Sequence, residues 1–467
     1  MAARKLLAAG VAVLGLAGCS LAPPYAPPAT PVVTSFKEQG PWTPAAPADA
    51  QARGVWWAMF SDPVLDDLEA RAETANPSLA AAVAAYDQAR ALAAQARAGL
   101  IPEVDGAAFA TRQRRSDNGP LRGVGGPDEF TTNQVGASVA YEVDLWGRLR
   151  NLARGAGDRA QASAADLRSM RLSLQAELAD DYLTLRGLDA QLRLLRTTET
   201  AYARALDLTQ ILHNGGAATG LDVARAQTQL SGIRAQITDV GAQRALMEHA
   251  IAALVGESAS AFSLAPVDAA LPQPKVAVSA PSTLLQRRPD IAAAERRAAA
   301  ANADIGVARA ALFPALTLDG SAGWQSGGGI NLIQAPNAIW MVGPQLAGAI
   351  FDGGRRKAGV AASRAAFDQA SANYRAAVLN AFRDVEDQMA LANRLAAEAQ
   401  DQTAAVTAAR RSVELANIRY KEGAATYLDV VTAQTAALTA EQAAIQLNTR
   451  RLQASVNLTR ALGGAWS

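Results

Sequence analysis

Few side chains in this 467-residue chain suit covalent or acid–base chemistry, and their spacing argues against it. The only histidines, His213 and His249, do not form a His-x-x-x-His metal pair. Gly327-Gly328-Gly329 lacks the following Lys-Ser/Thr of a phosphate loop. Cys19 is the sole cysteine, so it can neither close an intramolecular disulfide nor join a multi-thiolate metal site. The residues therefore predict no enzyme, no metal and no organic cofactor. A different chemistry sits in a word written twice, Gly216-Ala217-Ala218-Thr219-Gly220-Leu221-Asp222-Val223 and Gly423-Ala424-Ala425-Thr426-Tyr427-Leu428-Asp429-Val430. A carboxylate placed just after a glycine turn can cap or charge-stabilise the first turn of the next helix, which is worth roughly 0.3 to 1 kcal/mol.

The elements that carry this word are themselves duplicated. An offset of 207 aligns Ala226-Gln227-Thr228 with Ala433-Gln434-Thr435, Gly147-Arg148 with Gly354-Arg355, and Gly256 with Gly463. An offset of 212 aligns Asn76-Pro77 with Arg288-Pro289 and Leu100-Ile101-Pro102 with Leu312-Phe313-Pro314. The chain is two tandem copies of one unit, residues 76–257 and 288–464, preceded by a segment 19–75 and joined by a linker 258–287. Each copy reads helix, strand, strand, long helix, turn, helix.

The long runs, Arg148 to Asn214 and Arg355 to Glu422, contain no proline. At 1.5 Å per residue each would reach about 100 Å. Leu174, Leu178, Leu185, Leu188, Leu192, Leu195, Tyr202 and Leu206 fall on three- and four-residue spacings interrupted by the polar Asp181 and Glu199, and Val378, Phe382, Val385 and Met389, then Val406, Val413 and Tyr420, follow the same heptad-like spacing. Such stripes predict coiled-coil packing. After the turns at 214–221 and 421–428 come return helices, 221–255 and 428–462. With the leading helices 77–100 and 289–312, they supply two shorter rods placed end to end beside each long one.

Between the leading and long helices the period changes to two. Val139, Tyr141, Val143 and Leu145 alternate with Ser138, Ala140, Glu142 and Asp144, and Leu316, Leu318, Ala322 and Trp324 alternate with Thr317, Asp319, Ser321 and Gln325. Strands are predicted at about 104–112, 131–146, 315–325 and 339–351, with Pro344 confining the last to an edge, rim or bulge. Alternation of this kind fits a membrane barrel strand or a one-sided soluble sheet. Four strands cannot close a membrane barrel, which needs about eight, so a barrel requires more than one chain. Polar, Gly-rich connectors at 113–129 and 326–337 suit solvent-facing loops.

The N-terminus carries Arg4 and Lys5, an apolar stretch Leu6 to Leu16, and small residues before Cys19. Residues 1–18 read as a secretory signal rather than a span. Pro23, Pro24, Pro27, Pro28, Pro31, Pro41, Pro44 and Pro47 make the next stretch an extended tether. With 44 basic and 43 acidic side chains the chain has no bias toward nucleic acid.

Leu16-Ala17-Gly18-Cys19 resembles the lipobox of bacterial lipoproteins, which implies a covalent lipid on Cys19, and Ser20 in place of aspartate implies the outer membrane. The lipobox, the tether, the duplicated unit, Val143-Asp144-Leu145-Trp146-Gly147-Arg148 and Phe351-Asp352-Gly353-Gly354-Arg355-Arg356 together resemble the TolC/OprM outer membrane efflux factors, nearest their NodT-type lipoprotein branch. That resemblance implies a mixed α and transmembrane β fold. A homotrimer would form a 12-stranded outer membrane barrel continued by a long periplasmic α-helical barrel. Its partners would be a periplasmic adaptor, an inner-membrane pump and outer membrane lipids. Its function would be a passive conduit for small molecules such as drugs, toxic compounds or metals.

The same resemblance puts both glycine turns at the periplasmic tips. Gly216, Ala217, Thr219 and Leu221, and Gly423, Ala424, Thr426 and Leu428, would contact the adaptor. Asp429, Tyr420, Asp222 and Thr432 fall at gate positions, where a ring of three carboxylates would attract cations and gate the pore. Thr432 departs from a second acidic residue and Ala425 from a basic one, which leaves Arg225, Arg419 and Lys421 as candidate substitutes. The competing expectation is a lipid-anchored periplasmic coiled-coil scaffold or adhesin without a pore.

Overall fold

The computed structural model describes residues 20–30, 35–38, 55–116, 128–267, 271–274, 276, 287–328 and 331–464. The signal segment, Cys19 and much of the proline tether lie outside them. Helices α1 (Pro63–Ala75) and α2 (Pro77–Ala98) lead into strands β1 (Glu103–Arg114) and β2 (Glu129–Val143), the 67-residue α3 (Arg148–Asn214) and α4 (Gly220–Leu254). The second copy gives α5 (Pro289–Ala310), β3 (Ala315–Ser326), β4 (Ala338–Ala347), the 67-residue α6 (Arg355–Lys421) and α7 (Tyr427–Ala461). The fall in offset from 212 to 207 is a shortening of the second strand hairpin.

By contact the chain divides into two units. The unit formed by residues 1–29, 85–164 and 293–375 holds one antiparallel sheet in the order β1-β2-β3-β4. Its register sorts the two faces over most of the sheet. Val104 pairs with Val139, Val135 with Trp324, Tyr141 with Leu318, Leu318 with Pro344, and Leu316 with Leu346, so that face is apolar on all four strands until their ends at the strand connectors, where Arg112, Arg114, Glu129, Thr131, Asn133 and Ser326 fall on it. The opposite face carries Glu103, Asp105, Ser138, Glu142, Thr317, Asp319, Ser321 and Gln345. Pro344 lies on β4, an edge strand of the sheet within one chain.

Two strands end earlier than their alternation suggests. β2 stops at Val143 and β4 at Ala347, because the next acidic residues cap the long helices instead of continuing the ladder. Asp144 accepts from the amides of Leu149 (3.0 Å) and Arg150 (2.9 Å), and Asp352 from those of Gly354 (3.0 Å) and Arg356 (3.2 Å). Trp146 stacks on Phe313 at 4.6 Å between ring centres and donates to the Pro314 carbonyl at 2.8 Å. The described start of the tether is ordered against α3 and α5. Ser20 donates to Asn151 (3.0 Å), Tyr25 to Glu295 (2.7 Å), and Asn302 and Arg309 donate to the carbonyls of Pro23 (2.9 Å) and Leu21 (3.1 Å).

The other unit, residues 30–84, 165–292 and 376–467, holds the apolar core. Leu174, Leu178, Leu185, Leu188, Leu192, Leu195 and Tyr202 of the predicted α3 stripe are all buried, as are Val378, Val385 and Met389 of α6. Helix α1 was not expected within segment 19–75. Its signal was nonetheless present: Asp62 caps it, accepting from Val64 N (2.9 Å), Pro63 occupies the first turn, and Leu65, Leu68 and Ala72 form one buried face. Tyr182 of α3 donates to Asp62 at 2.5 Å and ties that cap to the core. Buried Asp189 bridges Arg186 (3.0 Å) and Arg244 (2.6 Å), whose guanidiniums also hold the carbonyls of Ala265 and Leu264.

The duplication repeats in detail. Asn76 donates to the carbonyl of Leu254 (2.8 Å), and its counterpart Arg288 donates to that of Ala461 (3.1 Å). Each residue ties a leading helix to the end of a return helix.

Candidate functional site: the paired helix turns

Both repeated words fold into the same backbone device. Gly216 and Gly423 adopt φ of 79° and 71°, a left-handed conformation that a side chain would strain. The amide of Ala217 reaches the Leu212 carbonyl at 2.8 Å and that of Gly216 the His213 carbonyl at 2.9 Å. In the second copy Ala424 reaches Arg419 (2.8 Å) and Gly423 reaches Tyr420 (3.1 Å). This is a Schellman ending, which satisfies carbonyls that the finished helix leaves unpaired.

The next helix then starts with a capping box. Thr219 and Asp222 cap each other's backbone at the start of α4, and Thr426 and Asp429 do so at the start of α7. Asp429 accepts from the Thr426 hydroxyl and amide, both at 2.8 Å, and Asp222 from those of Thr219 at 2.7 and 3.1 Å. These bonds, with help from Arg419, hold the Asp429 carboxyl below the ordinary aspartate range. Both aspartates thus serve as helix caps within the chain.

Around this shared frame the side chains differ. Arg225 stands 3.6 Å from Asp222, whereas its counterpart Thr432 bonds its own helix at the Leu428 carbonyl (2.8 Å). His213 contacts the Ala218 carbonyl at 3.0 Å, and Arg419 donates to that of Ala424 at 3.2 Å. Leu221 and Leu428 are exposed beside the turns. Tyr420 lies against Tyr427 with ring centres 5.5 Å apart.

Tyr427, Ala226 and Val430 form a buried cluster, with Leu206 and Tyr420 packed on it. It brings together the two hairpins α3–α4 and α6–α7. In the sequence Tyr427 is only the residue at the offset of 207 from Gly220, and burial, which a sequence does not display, is what makes it central. No group of acidic, histidine and cysteine side chains able to hold a metal ion occurs among the described residues. No described helix is long and apolar enough to cross a membrane.

A duplicated unit with a four-stranded sheet apolar over most of one face, followed by paired helices of this length, has the architecture expected of an outer membrane channel. The family model "Outer membrane efflux protein" matches the chain twice, over residues 69–257 and 280–464, and the chain belongs to that family. It is 36% identical over 430 residues to the pyoverdine export outer membrane protein OpmQ of Pseudomonas aeruginosa, covering 90% of each chain. It is 34% identical over 464 residues to the toluene efflux pump outer membrane protein TtgF of Pseudomonas putida, covering 97% of this chain and 95% of the relative. Among solved structures it matches the outer-membrane channel OprN with a TM-score of 0.87 at 30% identity, covering 96% of this chain and 100% of that one.

The protein is an outer membrane component of an efflux system, and its family comprises transport conduits rather than enzymes. A scaffold or adhesin without a pore does not fit this membership.

Proposed function

We propose that three copies of the chain assemble into a passive conduit that takes small molecules from an inner-membrane pump and a periplasmic adaptor and releases them outside the cell. The observation that carries this reading is the sheet. Over most of the strand length one face is apolar on all four strands and the other carries the acidic and hydroxyl side chains, and a single copy leaves β1 and β4 as free edges. Edges of that kind cannot face lipid unpaired, and three copies joined β1 to β4 supply a closed set of strands. Reproducible single-channel conductance of the purified protein in a planar bilayer is the expected result; correctly assembled trimers that never conduct would sink the proposal.

In this reading Cys19 bears the lipid, and the ordered contacts from Ser20 to Tyr25 lead the anchored end along α3 and α5. The two turns meet the adaptor through Gly216, Ala217, Thr219 and Leu221 and through Gly423, Ala424, Thr426 and Leu428. Asp429, Asp222, Tyr420 and Thr432 line the closing ring, Asp429 acting both as cap and as charge. The names of the relatives cover pyoverdine and toluene, which supports a conduit whose cargo is set by its pump.

A further inference from the structure

The first long helix, α3, carries a seam to the shorter helices of the second repeat. In the unit that holds the sheet, Arg159 of α3 is paired with Asp304 of α5. In the other unit, Asp180 accepts from Asn457 of α7 (3.0 Å) and Thr184 from Gln453 (3.0 Å). Gly187 lies so close to Thr449 that a side chain in its place would collide with it. Arg159 and Asp180 are three heptads apart, and Gly187 follows one heptad later, so all three mark one stripe of the helix.

The duplication gives the second long helix, α6, the same stripe with different side chains. At the offset of 207, Arg159, Thr184 and Gly187 answer to Ala366, Leu391 and Arg394, and Gln453 and Thr449 answer to Leu246 and Ala242 of α4. At the offset of 212, Asp304 answers to Leu92 of α2. Three polar partners of the first seam, Asp304, Gln453 and Thr184, thus have leucines as counterparts. In a single chain Leu92, Leu246 and Leu391 are 55%, 68% and 41% exposed. Bulk changes sides as well: glycine against threonine on α3 and α7 becomes arginine on α6 and alanine on α4. Asp180 keeps its acid, as Asp387, and Asn457 becomes Ala250.

We propose that this stripe of α6 is closed by α2 and α4 of a second copy of the chain, with Leu246 of that copy against Leu391 and its Leu92 against Ala366. The inference rests on the assembly of copies in the conduit reading, and adds which surfaces meet and by what chemistry. The chain itself supplies the template, since it seats α5 and α7 on the equivalent stripe of α3. The polar pairs of that inner seam are satisfied within one copy, whereas the leucines leave water only when a neighbour arrives. The two seams therefore do not interchange. Seating α2 and α4 on the stripe of α3 would set Ala250 and Leu246 opposite Asp180 and Thr184, without the partners that Asn457 and Gln453 supply.

The test uses the full-length protein, purified in detergent as assembled copies, with the cysteine pairs Leu246→Cys/Leu391→Cys and Leu92→Cys/Ala366→Cys under mild oxidation. Each pair should give covalently linked bands of two and three copies that collapse on reduction. The single variants and the parent, whose only cysteine is Cys19, should give none. Nor should the mismatched pair Leu246→Cys/Ala366→Cys, because Ala366 and Leu391 lie about 37 Å apart along α6. Leu246→Asp and Leu391→Asp should each lower the temperature at which the copies dissociate and leave the helix content of the single chain unchanged. Leu246→Gln/Leu391→Thr, which writes the inner polar pair into this seam, should lower it less. A disulfide formed within one chain, or assembled copies that link at neither matched pair, overturns the seam and leaves the conduit reading standing. A parent protein that stays monomeric removes the conduit reading and the seam with it.

Discussion

The first and second helix turns share a backbone and differ in what surrounds it. Both end a 67-residue helix at a left-handed glycine and start a 35-residue helix with a Thr/Asp box. Yet the first presents Gly220 and Arg225 where the second presents Tyr427 and Thr432. The lesson is that turn geometry and turn function were free to change separately. Local hydrogen bonds fix the former, and a few side chains facing outward from the cap decide the latter.

The largest expected break in this symmetry comes from Tyr427→Ala. Emptying a buried aromatic site should lower the opening free energy of the tip amides in hydrogen exchange by about 3 kcal/mol. Equal protection in parent and variant would mean that the ring carries no packing load. Next in size are the shared features, which should respond alike. Gly216→Val and Gly423→Val should each cost roughly 1 to 2 kcal/mol, because both hold a left-handed φ, and the same measurement on the two variants checks the equality.

Loss of either cap, Thr219→Ala or Thr426→Ala, should cost about 1 kcal/mol by the same readout. The second cap also has a defined pH dependence. Its aspartate is held below the ordinary range in the folded protein, so its stabilisation is complete above the unfolded pKa and disappears as pH falls through the lower folded value. Exchange protection at the start of α7 that is indifferent to acid would refute that assignment.

Gly220→Ala should gain about 0.5 kcal/mol, since its φ is not left-handed and the nearest atom to an added methyl is His213 Cε1 at 3.9 Å. A loss instead would show that glycine is needed there for close approach. The smallest effect belongs to Arg225→Ala. A partly exposed pair 3.6 Å from Asp222 should contribute only a few tenths of a kcal/mol and should vanish in high salt.

Much of this was legible because the signals are periodic. The leucines of α3 from Leu174 to Leu195 are buried as their spacing requires, and the alternation from Val139 to Val143 places those side chains on the apolar face of the sheet. Element ends were less legible: Asp144 looks like a strand residue by alternation, but its carboxylate is spent on helix amides. Helix α1, 13 residues long, follows the tether defined by Pro23 to Pro47, and Asp62-Pro63 spells its start.

At the turns the sequence supplied the repeated word, the glycines and both possible roles of the aspartates. It left undecided which of those roles the chain itself fulfils.

By itself, then, the sequence determined the duplication, the helix and strand periods, the turn chemistry and the family, because each is written in residues close together or at one constant offset. Only the tertiary structure decided that Asp222 and Asp429 serve as caps within the chain, that the segment from Ser20 to Tyr25 lies along α3 and α5, and that Tyr427 rather than Leu428 is the buried residue of the second turn. The physical reason is that burial belongs to pairs of helices. Whether a side chain at the first turn meets solvent or another hairpin depends on residues some 200 positions away, and no local pattern encodes their approach.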